Sequence, residues 1–171
     1  FGSIEDSKPI ALSFLIGLFH GMTDNRINFV NAGVIAEERG ISFSHSLNTE
    51  SVSFSNLIVA HVTTENGTIE VAGSVFGDKH PRIVDIMGYE VDVRPEGNML
   101  FVQSKDVPGV IGKVGMILGE GGVNIAEYLL SRTPNNDSAY SVIKFDGQIN
   151  EELLEELMQV DEILDIKQLH V

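Results

Sequence analysis

The stretch from Asn98 to Ser131, NMLFVQSKDVPGVIGKVGMILGEGGVNIAEYLLS, constrains this chain most, because it spells a strand, a glycine-marked turn, a helix and a second strand in succession. Met99 to Gln103 is a short apolar run of strand-like composition, and Ser104 to Gly109 breaks it with two charges, a proline and a glycine. From Val110 the apolar residues Val110, Ile111, Val114, Ile117 and Leu118 recur at spacings of three and four, the mark of one buried helical stripe. Gly119, Gly121 and Gly122 stop that helix, and Val123 to Leu130 reads as the next strand.

Gly112 and Gly115 lie inside the predicted helix, where each costs about 1 kcal/mol relative to alanine. Two compensations are open: close packing of helix on sheet, or backbone approach to a ligand or partner subunit. Asp106 also has two readings. As an N-cap it satisfies the orphan N–H groups of the first turn, which its position favours; as a ligand group it receives the ammonium of a bound amino acid. Asn124 either closes the turn beside Gly122 or lies near Asp106 in space, and the pair Asp106 and Asn124 is the candidate small-molecule site.

Upstream, Ser7, Lys8 and Pro9 suit a helix start after a polar lead-in, and Ile10, Phe14, Leu15, Leu18 and Phe19 give a broad apolar face running to about Gly21. After a break at Thr23 to Asn25, a second helix is predicted from Ile27 to Arg39, closed by Gly40. Ser42 to Ser55 reads as a serine-rich loop or irregular edge strand, where mobility is expected. Asn56 to Thr64 and Thr68 to Phe76 flank Asn66-Gly67, a hairpin signal; Ile83 to Met87 and Tyr89 to Val93 add two strands about Gly88. The expectation is a mostly antiparallel sheet with two helices on one face, and a boundary at Arg94, Pro95, Glu96 and Gly97.

Beyond Ser131 a turn-rich loop, Thr133 to Ser138, leads to a strand at Ala139 to Asp146, a helix capped by Asn150 and a last strand at Ile163 to Val171. From Asn98 onward the order is βαββαβ, the ferredoxin-like arrangement. The fold class expected is therefore α+β with two small domains, residues 1–96 and 97–171. A single four-stranded sheet with helices on one side leaves an open edge or face, so self-association into a homo-oligomer is expected.

A net charge of −14 with no basic stripe argues against nucleic acid as a partner, since its phosphates would be repelled. The longest apolar stretch, Pro9 to Phe19, is too short for the roughly 30 Å hydrocarbon core of a membrane, so no membrane is expected. The absence of cysteine excludes disulfides and thiol chemistry and is compatible with a cytoplasmic location. No targeting segment is visible at Phe1, and the chain reads as a fragment. No GxGxxG follows a strand, and no Walker sequence or GxSxG is present. His20, His45, His61, His80 and His170 lack metal-ligand spacing, so no metal is expected. Glu151, Glu152, Glu155 and Glu156 read as a solvated helix face. Lys79, Arg82 and Arg94 fall close together in an acidic chain. They serve either local salt bridges with Asp78, Asp85, Glu90 and Asp92, or a pocket for a small phosphate or carboxylate anion.

The motif DVPGVIGKVGMILGEGGVNIA resembles the first half of an ACT domain, the small regulatory module of amino-acid metabolism. Upstream, RINFVNAGVIAEERGI and AGSVFGDKHPRIVDIMGYEVDVRPEGNMLFV resemble the region before the ACT domain in long-form D-3-phosphoglycerate dehydrogenases, the allosteric substrate-binding domain. Together the motifs cover nearly the whole chain. The resemblance implies a regulatory, effector-binding and oligomerisation fragment of an enzyme of L-serine biosynthesis, catalytically inactive by itself, with NAD and the catalytic residues belonging to the parent protein. It implies L-serine between two ACT domains, with Asp106 and Asn124 matching side-chain positions and the backbone of Val107, Pro108 and Gly109 receiving the carboxylate at the helix N-terminus. It further implies an anion held by Arg82 and Arg94, with Lys144 contributing from the third strand of the ACT-like half. Two positions depart from the pattern: Tyr89 stands where some relatives have another cation, and Ser104 where relatives often carry a larger polar residue. Two alternatives stand beside this reading: an assembly module that binds no effector, and the regulatory part of an iron–sulfur L-serine dehydratase. The junction RPEGNMLFV favours the dehydrogenase.

Overall fold

The structure, a computed structural model, describes residues 6–23, 26–48, 54–77, 79–133 and 137–171. Its elements are helices α1 (Lys8–Leu18) and α2 (Ala32–Glu38), strands β1 (Ile58–Thr64), β2 (Gly67–Phe76), β3 (His80–Ile86), β4 (Tyr89–Val93) and β5 (Asn98–Lys105), helix α3 (Val110–Glu120), strands β6 (Asn124–Arg132) and β7 (Ser138–Asp146), helix α4 (Glu151–Met158) and strand β8 (Ile163–His170). The class is α+β, with two antiparallel four-stranded sheets. The predicted lead-in, the break at Thr23 to Asn25, the serine-rich loop, the loop after Thr133 and any partner role of Asp78 lie wholly or partly outside the described residues. Among those residues no helix is long and apolar enough to cross a membrane.

Packing groups the chain into one compact unit ending at Leu57 and another from Ile58 to Val171. In the first, α1 carries Pro9 in its first turn, where the missing N–H is no loss. Helix α2 starts at Ala32 and not at Ile27, because Asn28 and Asn31 bond the local backbone in a turn. Asn28 Oδ1 accepts from the N–H of Val30 at 2.8 Å and Asn31 Oδ1 from that of Asn28 at 2.8 Å. Leu15 and Phe19 of the first helical segment bury against Ala32 and Ala36 of the second, small residues that let the helices approach.

In the second unit β1 to β4 form a meander in sequence order. The first hairpin closes one residue earlier than Asn66-Gly67 suggests: Thr64 pairs with Gly67, leaving Glu65 and Asn66 as the loop. The β3–β4 hairpin turns through Met87 and Gly88, both with positive φ (52° and 84°), and the Asp85 carboxylate accepts the N–H of Gly88.

The other sheet has the order β6-β7-β5-β8, which with α3 and α4 is the ferredoxin-like topology. Val110, Val114 and Leu118 of α3 and Leu153 and Leu157 of α4 bury against Leu100, Val102, Ile143 and Phe145 on one face. On the opposite face Met99, Phe101, Tyr140 and Val142 bury against Ile86, Tyr89 and Val93 of the first sheet. Strands β5 and β7 are thus covered on both sides, and for that reason they read as nearly unbroken apolar runs. Asn150 caps α4, its side chain accepting the N–H of Leu153 at 2.9 Å.

Close packing is not what Gly112 and Gly115 serve within one chain: a Cβ added at either meets nothing within 4 Å. Gly112→Ala and Gly115→Ala are therefore each expected to stabilise the isolated chain by about 1 kcal/mol in urea unfolding.

Burial, helped by the charge of Asp165 and by Tyr89, pushes the Tyr140 hydroxyl up to about 12. An unfolded tyrosine titrates near 10, so the stability tied to this group is complete below about pH 10 and is lost as pH rises toward about 12. Urea unfolding across that window should show a fall in stability that is smaller in Tyr140→Phe.

Candidate functional site

The loop from β5 to α3 is built by three local constraints. Asp106 donates its N–H to the carbonyl of Asp137 at 2.8 Å, Val107 donates to Lys105 at 3.0 Å, and Gly109 begins the helix at φ 95°. That left-handed conformation suits glycine and leaves α3 with no side-chain cap. Asp106 is therefore not the N-cap. Its carboxylate instead meets Arg132 Nε at 3.1 Å.

Around this loop lies a cavity of about 110 Å³. Residues 105–111 form one wall, Leu130 and Arg132 of β6 the other, and Ser104, Tyr128 and Ser141 bring hydroxyls to it. Sheet register explains the gathering. Ala139 of β7 pairs with Ser104 on one side and Arg132 on the other, so the ends of β5 and β6 stand in one row. Ser104 and Ser141 are buried; burial raises the Tyr128 hydroxyl, opposed by its hydrogen bond with Ser141. The cavity thus presents a carboxylate, a guanidinium, a helix N-terminus and hydroxyl groups, the complement of a small zwitterion.

Val107, Pro108 and Gly109 lie on the cavity wall, just ahead of α3. Asn124 does not: it stands at the far end of β6, donating to Asp146 Oδ2 at 2.8 Å. Eight residues of strand, on the order of 25 Å, separate it from Arg132, so the expected proximity of Asp106 and Asn124 is not formed within one chain.

Of the cationic positions, Arg82 on β3 reaches Asp92 at 3.4 Å, which realises one of the local salt bridges considered. Arg94 and Lys144 share one oxygen of Glu96, at 4.0 and 3.5 Å. The pairing of Ile83 with Val93 sets Arg82 across from Arg94, and Lys144 joins them from the other sheet through Glu96. Three cations face two carboxylates there, which leaves one positive charge uncompensated by these contacts.

Arg132 and Tyr128 carry no spacing that ties them to Asp106, since β7 intervenes between their strands and only the sheet order brings them together. The strand order of the βαββαβ unit was the available signal: it aligns the ends of its first two strands on one side of the sheet.

Fold and site together define an α+β chain in which a ferredoxin-like sheet with a charged cavity is backed by an antiparallel meander. Residues 3–87 match the D-3-phosphoglycerate dehydrogenase intervening domain. The chain is 34% identical to D-3-phosphoglycerate dehydrogenase of Bacillus subtilis (strain 168), over 95% of this chain and 31% of that protein. It is 33% identical to the enzyme of Archaeoglobus fulgidus over 94% of this chain and 31% of that protein, and 30% identical to that of Methanocaldococcus jannaschii over 95% and 30%. The chain thus resembles D-3-phosphoglycerate dehydrogenases, as its motifs indicated, and spans under a third of the length of the relatives it matches.

The Arg132 side chain is 63% exposed, so its ion pair should matter little to folding. Arg132→Ala is expected to change urea stability by less than about 1 kcal/mol, which makes it a usable probe of binding.

Proposed function

We propose that this chain is the regulatory part of a D-3-phosphoglycerate dehydrogenase of L-serine biosynthesis, with an intermediate domain over residues 1–96 and an ACT domain over residues 97–171. L-serine is its effector, and it self-associates. The observation that carries this reading is the cavity between the Asp106 loop and Arg132. Asp106 receives the ammonium, while Arg132 and the first-turn N–H groups of α3 receive the carboxylate. The Ser104, Tyr128 and Ser141 hydroxyls suit a short polar side chain, and about 110 Å³ admits a small amino acid but no nucleotide. Dehydrogenation and NAD binding belong to other parts of the parent enzyme, which is cytoplasmic.

Strand β6 is outermost in its sheet and offers an edge to a second copy. A two-fold, antiparallel pairing across β6 brings Asn124 of one copy toward Arg132 of the other, so Asn124 completes the cavity between chains and not within one. The anion reading assigns a small phosphate or carboxylate to Arg82 and Arg94, with Lys144 released from Glu96 to join them.

The test is thermal and urea unfolding with L-serine, D-serine and glycine. L-serine at about 100 times Kd should add roughly 2.7 kcal/mol, and the gain should vanish in Asp106→Ala, Arg132→Ala and Asn124→Ala. A chain that dimerises yet responds to no amino acid would instead be an assembly module. The direct Asp106–Arg132 pair, which already satisfies both groups, is the observation that favours that second reading.

A further inference from the structure

We infer that Tyr89 is a positioning residue for the cavity loop, by which the first sheet sets the geometry of Asp106 on the second; its consequence for an effector rests on the reading above. Tyr89 opens β4 directly after the Met87-Gly88 turn and is almost wholly buried. Its ring stacks on Tyr140 at 5.4 Å between centroids and 27° between planes. The other buried members of the same apolar cluster are Ile86, Val93, Met99, Phe101 and Val142. A hydroxyl carried into such a layer costs free energy unless it finds a partner. It finds one past the edge of that layer, in the buried Ser138 hydroxyl.

Ser138 is the first residue of β7 and lies opposite Lys105, the last of β5. The preceding carbonyl, that of Asp137, accepts the N–H of Asp106. The path from the first sheet to the cavity is therefore short: Tyr89 hydroxyl to Ser138, one peptide to Asp137, and one hydrogen bond to Asp106, whose carboxylate faces Arg132. Tyr89→Phe would keep the ring packing and remove the anchor at the start of β7. The far end of β4 leads directly into Arg94, so the same short strand joins the cationic cluster to this anchor.

Amide hydrogen exchange on the full chain tests this without any ligand. In Tyr89→Phe and in Ser138→Ala the Asp106 amide should exchange about tenfold faster, the double variant should exchange no faster than either single one, and the amides of Met99 and Val142 should be unchanged. Calorimetry with L-serine on the same proteins should show a matching loss of affinity. An unchanged Asp106 amide in Tyr89→Phe, additive effects in the double variant, or a uniform loss of protection through β5 and β7 would each overturn the assignment. A parent chain that binds no L-serine would sink the effector reading alone, since the exchange result still decides the role of Tyr89.

Discussion

The contact between the two sheets is the constraint on which the rest of the Ile58–Val171 unit depends. A ferredoxin-like sheet with helices on one face leaves its other face apolar or polar according to what covers it. Here Met99, Phe101, Tyr140 and Val142 are apolar because β3 and β4 lie over them. Burial on both sides removes the choice of register from β5 and β7: a slip by one residue would exchange the Leu100 and Val102 face for the Met99 and Phe101 face, and each is shaped to a different neighbour. The hydrogen-bonded ends of these two strands then determine where the Asp106 loop begins. Site geometry is in this way a consequence of core packing.

Local chemistry made much of the fold legible. Gly109 and Gly122 at positive φ, the Asn150 cap and the period of Val110, Val114 and Leu118 each specify a boundary through interactions within a few residues, and those elements appear where the sequence places them. The misreadings have local causes too. Asn28 and Asn31 compete with the helix for the backbone and delay α2 to Ala32. At the first hairpin, Gly67 enters the strand at φ 128° and leaves the loop to Glu65 and Asn66.

The cavity was legible only on the side that is contiguous in sequence. Asp106 to Gly109 could be read from one turn, whereas Arg132, Tyr128 and Ser141 come from strands whose neighbours are set by topology. Charge gave no help, since Arg132 is one basic residue among eleven and its partner lies 26 positions back, 132 less 106. Asn124 shows the converse failure. Adjacency to the glycine turn suggested nearness to Asp106, but a strand carries its two ends to opposite sides of the sheet, and only a second copy running the other way brings such an end back.

That geometry bears on how a small cavity can report on assembly. A site closed within one chain senses its ligand whether or not the chain is paired, so ligand and assembly are uncoupled. A site whose wall is the outermost strand of a sheet differs, because the groups that finish it depend on what lies across the edge. Arg132 is mostly exposed on that edge while Asp106, its partner, is held from behind by Asp137 and through it by Ser138 and Tyr89. One side of the cavity is therefore tied by hydrogen bonds to the core between the sheets, and the other lies on the open edge of β6. A ligand that bridged the two would have different contacts in paired and unpaired chains, and a difference in affinity between two states is the physical requirement for a ligand to shift their populations.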